Sequence, residues 1–330
     1  MAEIELFEDL DAVARDAVGA LDRSEQPSLF DRLDWFRLLA AHSPPPGKLL
    51  VLRARGAEGR AWLFLDVRHP LAEGYANFHT LRFDGIGRRD AALLTSIAAA
   101  LRDGGLVEVD LAPLEDPEPL VRGFRNAGWT TLVTPFAVSW SADTEGLDFD
   151  AYWAKRPAEL RNAVERRTRD VGLDVMVHDR FDPAIWAEHE AVYRAGATPE
   201  RGSFPFLRAL AEQEGAAGTL RLGIARKDGV PVAAQLWLVE NKEATLHELA
   251  QAEAAKELSP GTILSAAMLR HVIDRDRVQR IDYGIGDESG KADWMDRQRT
   301  LWQLRAFNPR TLKGLFRAGR ARLAARRRSR

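Results

Sequence analysis

No cysteine occurs among the 330 residues. Its absence excludes disulfides, thiolate nucleophiles and zinc–thiolate sites, and it fits a reducing compartment. Histidine is sparse as well: there are seven, scattered, with no HxxxH or HExxH pair, so no catalytic metal is expected. No apolar run approaches the roughly 18 residues that a membrane-crossing helix needs. The opening MAEIELFEDL is acidic rather than leader-like, so a cytoplasmic protein is expected.

Acids are missing from one stretch. Residues 311–330 hold eight of the 47 basic residues (Lys313, Arg317, Arg320, Arg322, Arg326, Arg327, Arg328 and Arg330) and none of the 49 acids, which leaves the first 310 residues at −10. An acidic body argues against general nucleic-acid binding, and no nucleic-acid partner is expected. The basic tail, with Leu315, Phe316 and Leu323 among its arginines, reads either as a solubilising end or as a weak amphipathic contact with an anionic membrane surface.

At 330 residues, with 45% hydrophobic and 29% charged, the chain has material for two cores. Residues 1–47 read as two helical stretches that stop at Pro44–Pro46. Strand-like runs follow at Lys48–Arg55, Ala61–Arg68 and Tyr75–Phe83, then a helix over Arg88–Asp103, a strand at 106–111, a short helix and a strand at 129–140. SADTEGLDFD (141–150) reads as a linker, and AYWAKRPAELRNAVERRTRDVG as one long basic amphipathic helix. The earlier order then returns, with a hairpin turning at Asp228-Gly229, a strand at Ala244–Glu253, a helix opening at Ser259, a strand through Ile281-Asp282-Tyr283, a short helical segment and a last strand. The expected division is 1–145, 146–312 and a tail at 313–330. This order suits an α+β fold and not a βαβαβ nucleotide fold.

Two segments carry chemistry. Ser259-Pro260-Gly261-Thr262 is a helix-start signal, with Ser259 placed to cap and Pro260 at the first helical position. It reads as an ordinary capped helix or as an anion site built from free N–H groups, with Gly261 allowing close approach. The strand Ile281-Asp282-Tyr283 breaks into a Gly-rich loop bearing Asp287, Glu288 and Lys291, with Trp294 beyond. A second glycine pattern, Arg82-Phe83-Asp84-Gly85-Ile86-Gly87, fits (R/Q)xxGxG ahead of the first long helix, though such patterns are common by chance.

Together these residues resemble the GNAT-superfamily acyltransferases of the CelD/BcsL-like group, relatives of the FemAB aminoacyltransferases. Ser259, Pro260, Gly261, Ile263 and Leu264 match that group's "sPG-ll" helix start. Asp282, Tyr283, Gly286, Asp287, Lys291 and Trp294 match its "D-F-x-x-G-(D/E)-x-x-Y-K-x-x-W" segment in register, Arg161 falls on a central Arg of its basic helix, and Trp35 on its opening Trp. Gly290 replaces a Tyr of the pattern, and Gln251-Ala252 replaces a Tyr-Asp pair ahead of the helix.

The resemblance implies two tandem GNAT-like α+β domains with mainly antiparallel twisted sheets flanked by helices, the first a degenerate copy. It implies acyl transfer, from acetyl-CoA or another acyl-CoA, to an amine acceptor in a bacterial cell. That acceptor would be a small molecule or glycan, such as an amino sugar in polysaccharide or cell-envelope synthesis, and the enzyme would be at most peripheral to the inner membrane. Ser259–Thr262 would hold the CoA pyrophosphate, and Arg161, Asp287, Lys291 and Trp294 the substrate. A base must take the acceptor's proton. Asp282 comes first by position, followed by Glu248 and His247, of which strict strand alternation would let only one face the site. A FemAB-type aminoacyltransferase using aminoacyl-tRNA and a non-catalytic GNAT-fold binding protein are the alternatives.

Overall fold

The structure is a computed structural model that describes residues 2–196, 203–286 and 290–328. It divides into two compact units, Met1–Ala137 with Thr300–Arg330, and Val138–Arg299. The first contains β1 (Glu3–Phe7), α1 (Leu10–Ala17), α2 (Leu33–His42), β2 (Lys48–Gly56), β3 (Gly59–Arg68), β4 (Leu71–Gly74), β5 (Ile86–Gly87), α3 (Ala91–Asp103), β6 (Glu108–Leu114) and α4 (Glu118–Asn126). β7 (Thr130–Asp143) carries the chain onward to α5 (Phe149–Ala154), α6 (Ala158–Val171), β8 (Asp174–His178), α7 (Pro183–Arg194), α8 (Phe204–Ala216), β9 (Leu220–Lys227) and β10 (Val230–Glu240). The second unit continues through β11 (Glu243–Gln251), α9 (Pro260–Asp274), β12 (Arg280–Ile285) and α10 (Lys291–Trp294). β13 (Arg297–Phe307) returns to the first unit and leads into α11 (Leu312–Arg328).

In the first unit β1, β2, β3 and β4 form an antiparallel meander; β4 then pairs β6 in parallel, and β13 pairs β6 antiparallel. The second unit repeats this, with β8, β9, β10 and β11 antiparallel, β11 and β12 parallel, and β7 antiparallel to β12. A parallel step needs a crossover, and α3 and α9 supply it. The α+β class and the repeated order stand as the sequence implied.

The unit boundaries depart from those expected at 145 and 312. Ser139–Asp143 of β7 pair β12 in the second unit, and Trp302–Phe307 of β13 pair β6 in the first, because an isolated strand end must find a ladder. Other local readings also change. The acidic N-terminus is a strand, since Glu3 and Glu5 pair Arg55 and Arg53 of β2, and the buried Arg53 guanidinium draws in both acids along with Asp16. Residues Tyr75–Phe83 are irregular, with Asn77 and Thr80 bonded in a side-chain turn, and Leu71–Gly74 supplies the strand instead. The basic helix breaks at Pro157 into α5 and α6, because proline has no N–H to continue the ladder. The tail is not a loose end but helix α11.

One face of the second sheet packs on α9 through Leu264, Met268, Leu269, Val272 and Ile273. A polar chain is sealed inside this contact. Gln235 of β10 donates to the Ser265 hydroxyl (2.7 Å), Tyr283 of β12 donates to the same oxygen (2.9 Å), and Trp237 donates to Gln235 (2.8 Å). Around α10, the Trp294 carbonyl accepts from Tyr152 and from Arg156 (2.8 Å), and Arg156 also pairs Asp296.

Buried hydroxyls that satisfy two neighbours are costly to remove, because the neighbours are left unpaired. Ser265→Ala is expected to lower stability by about 1–3 kcal/mol in urea unfolding, with the far-ultraviolet spectrum unchanged. A variant as stable as the wild type would show that this chain does not hold α9 to the sheet.

Candidate active site

The parallel step between β11 and β12 is short. It pairs only Glu243–Thr245 with Arg280–Asp282, while β11 runs on to Gln251 and β12 to Ile285. Beyond Thr245 the ladder between them ends, although Gly284 of β12 still lies against the Leu246 carbonyl, where a Cβ would come within 3.2 Å.

β11 also carries a bulge there. Glu248 stands opposite Leu236 and Leu246 opposite Trp237, so His247 is the extra residue. Trp237 and Gln235 point to the α9 side, as the bond from Gln235 to Ser265 shows. Their partners Leu246 and Leu249 therefore lie on that side although three residues apart. His247 and Glu248 fall between them, and the alternation expected to send these two to opposite faces does not hold across the bulge. Thr245 opposes Leu238 and pairs Asp282. By strand parity Thr245, Glu248 and Asp282 share the face away from α9.

The two carboxylates on that face differ in their surroundings. Burial pushes the Glu248 carboxyl up to about 7, opposed among the described residues by a hydrogen bond from the Leu249 N–H. Asp282 accepts from the Gly284 N–H (2.9 Å) and from the Ser139 hydroxyl (3.3 Å). Gly284 is left-handed, with φ of +76°, so Asp282 holds the turn at the end of β12. Glu248 is therefore the freer proton acceptor, and Asp282, first by sequence position, has a structural task.

At the helix start, Pro260 occupies the first position of α9 and is buried together with Gly261. Ser259 does not cap with its side chain. Its backbone is left-handed (φ 51°), because it joins the 3-10 turn Glu253–Leu258 to α9, and its carbonyl accepts from the Thr262 N–H (3.1 Å) instead. Gly261 allows close approach, since a Cβ there would lie 2.9 Å from the Gln251 side-chain oxygen and push that flexible side chain aside. The last residue of β11 thus touches the start of α9.

The expected substrate residues are not all brought to one place. Arg161 lies on α6, which packs against α9 through Val164; its Nε is buried without a hydrogen-bond partner, and among the described residues it has no ion pair. Lys291 donates to the Ile285 carbonyl (3.0 Å), closing the end of β12. Trp294 is a core side chain, stacked near Tyr283 and Trp153 rather than lining an opening. Asp287 lies outside the described residues. Tyr152, Arg156, Gln235 and Ser265 were missed as organisers, because nothing local in the sequence distinguishes them from ordinary helix and strand residues.

The rival glycine pattern has structural uses. Gly87 (φ +83°) pairs Ala61 of β3, and a Cβ there would lie 2.6 Å from the Arg60 carbonyl; one on Gly85 would press on Leu94 of α3 at 3.2 Å. Arg82 is already engaged by Asp31 (3.2 Å) and Glu115 (3.8 Å), and the N-terminus of α3 is capped by Asp90. Burial pushes the neighbouring Asp84 up to about 6.

Residues 154–294 match the acetyltransferase (GNAT) domain family. No curated protein sequence matches the chain. Among solved structures, the C-terminal domain of an Agrobacterium fabrum protein designated a lysylphosphatidylglycerol synthetase is similar in fold, with a TM-score of 0.62 and 16% identity over 93% of this chain and 95% of that one. FemX gives 0.58 at 9% identity, covering 91% and 96%. A tandem GNAT protein from the clavulanic acid biosynthesis pathway gives 0.50 at 16%, covering 92% and 98%. Residues 154–294, which hold Glu248, Asp282 and the start of α9, thus match the acetyltransferase (GNAT) domain family within a chain whose fold is similar to that of a tandem GNAT protein.

Proposed function

We infer that the second unit transfers an acyl group from acyl-CoA to an amine acceptor, with Glu248 as the proton acceptor. The observation that carries this is a carboxyl with its pKa raised to about 7 by burial, set on a bulge where β11 leaves its parallel partner. Bound acyl-CoA supplies an activated carbonyl. The ladder groups of β11 that β12 does not pair suit the amides of the donor's arm, and the start of α9 at Ser259–Thr262 suits its pyrophosphate. The acceptor nitrogen forms the new C–N bond as the C–S bond breaks, its proton passes to Glu248, and the thiolate leaves. A base with a pKa near the working pH is efficient in this role. An amino sugar in polysaccharide or envelope synthesis is the acceptor class we propose, in a cytoplasmic setting.

Glu248→Gln is expected to lower acyl transfer by roughly 10²–10⁴-fold while the thermal shift given by CoA stays that of the wild type. The wild-type rate should rise with pH and level off above about 7, and the variant should lose that rise. An unchanged rate, or a pH profile that survives the substitution, would remove Glu248 from the reaction. Transfer that instead falls in Asp282→Asn with its melting temperature intact would give the base role to Asp282.

The same carboxyl predicts a stability effect of definite sign. Its folded pKa of about 7 lies above the ordinary 4.5, so the native state holds the extra proton between these values. Wild-type stability therefore declines as pH rises from about 4.5 to 7. Glu248→Gln removes that decline, and the variant should match the wild type at pH 4 and exceed it by about 1–3 kcal/mol at pH 8. Denaturant unfolding at the two pH values checks this, and equal stabilities at both would mean that the carboxyl is solvated.

Gly261→Asp tests the donor site. CoA is expected to shift the melting temperature of the wild type and to lose that effect in the variant, since an acid would meet the phosphates where only a hydrogen now stands. Equal shifts would move the donor elsewhere. A shift by aminoacyl-tRNA with none by CoA would favour the aminoacyl-donor reading.

A further inference from the structure

Helix α11 presents two faces of opposite character. Its inner face is made of small residues: Gly314, Ala318 and Ala321 are buried, the alanines packing against Phe307 with Leu132 beside it. Arg317 ties this face to the first unit through an ion pair with the buried Glu108 of β6, which Arg305 also holds. The helix is thus fastened along one side.

The outer face is apolar where water should favour polar residues. Leu312, Leu315, Phe316 and Leu323 are 86%, 51%, 65% and 61% exposed. At about 100° per residue these four fall in one stripe opposite the Gly/Ala face. Arg322 borders the stripe on one side, Lys313, Arg320 and Arg327 border it on the other, and Arg326 falls within it near the helix end. No acid occurs anywhere in 311–330. Four large exposed apolar groups on one helix face are more than chance exposure accounts for.

We propose that α11 is a membrane-surface docking helix, which lies in the plane of an anionic bilayer with Leu312, Leu315, Phe316 and Leu323 in the acyl boundary and the flanking arginines on lipid phosphates. Both features are needed for this partner. Basic residues near an anionic leaflet each add attraction, and the apolar stripe supplies the part that phosphate attraction cannot. A nucleic acid would match the arginines but leave the stripe in water. The helix is neither long enough nor apolar enough to span a membrane, so it docks rather than inserts across. The inference stands apart from the acyl-transfer reading, since no residue of α11 belongs to the second unit.

Flotation of the full chain with vesicles decides it. Binding is expected to vesicles of phosphatidylcholine mixed with phosphatidylglycerol, and little to phosphatidylcholine alone. Replacing Arg322, Arg326 and Arg327 by Gln should weaken binding on the order of 100-fold. Phe316→Ser with Leu323→Ser should weaken it by tenfold or more while every charge is kept. These positions face solvent, so the melting temperature should stay that of the wild type, and acyl transfer to a soluble amine should be unaffected. Failure of the folded wild type to float, or binding that survives the Phe316/Leu323 double substitution, would overturn the proposal. Tight binding to RNA that is indifferent to the double substitution, with none to vesicles, would assign the helix to a nucleic acid.

Discussion

Two parallel strands cannot be joined by a tight turn, and each unit of this protein is organised by that constraint. β11 must travel through the 3-10 turn and α9 before β12 can lie beside it, and the helix is then held by the sheet it crosses. Because the ladder between β11 and β12 lasts for three residue pairs, the same connection leaves part of β11 without ladder bonds to β12. The bulge at His247 falls just beyond the end of that ladder. The candidate site is thus a consequence of one crossover, and Glu248, Gly261 and Gln251 take their places from it. The first unit makes the same parallel step between β4 and β6, but the glycines there serve strand pairing and the packing of α3.

The distribution of buried charge points to the same residue. Arg53 is surrounded by Glu3, Glu5 and Asp16, Glu108 by Arg305 and Arg317, and Arg156 reaches both Asp296 and the Trp294 carbonyl. Charges removed from water are tolerated when so compensated. Among the described residues Glu248 has no cation to oppose its desolvation and meets it with one backbone N–H, so its proton is held to near neutrality. Asp282, first by sequence position, is spent on the Gly284 turn and the Ser139 hydroxyl. Proximity in a motif and freedom to react are separate properties.

Much of the fold was legible because the elements advertise themselves locally. The hairpin at Asp228-Gly229, the proline-started helix at Pro260 and the end of α3 at Asp103 appear where their residues place them. The errors share a cause. β1 has an acidic, unremarkable sequence and becomes a strand because Arg53 waits across β2; Tyr75–Phe83 looks strand-like yet is held in a turn by Asn77 and Thr80. In each case a partner distant in sequence, or a side-chain bond, outweighs local preference.

By itself the sequence determined the α+β order, the helix start at Pro260 and the concentration of positive charge in the last 20 residues, since each is written in adjacent residues. Tertiary structure alone decided that His247 sits on a bulge, that burial raises the Glu248 carboxyl while Asp282 holds the Gly284 turn, that Trp294 belongs to the core, and that the tail is a helix with its leucines outward. Register, burial and the facing of a helix depend on which surfaces meet, and a chain read residue by residue carries no record of its opposite partner.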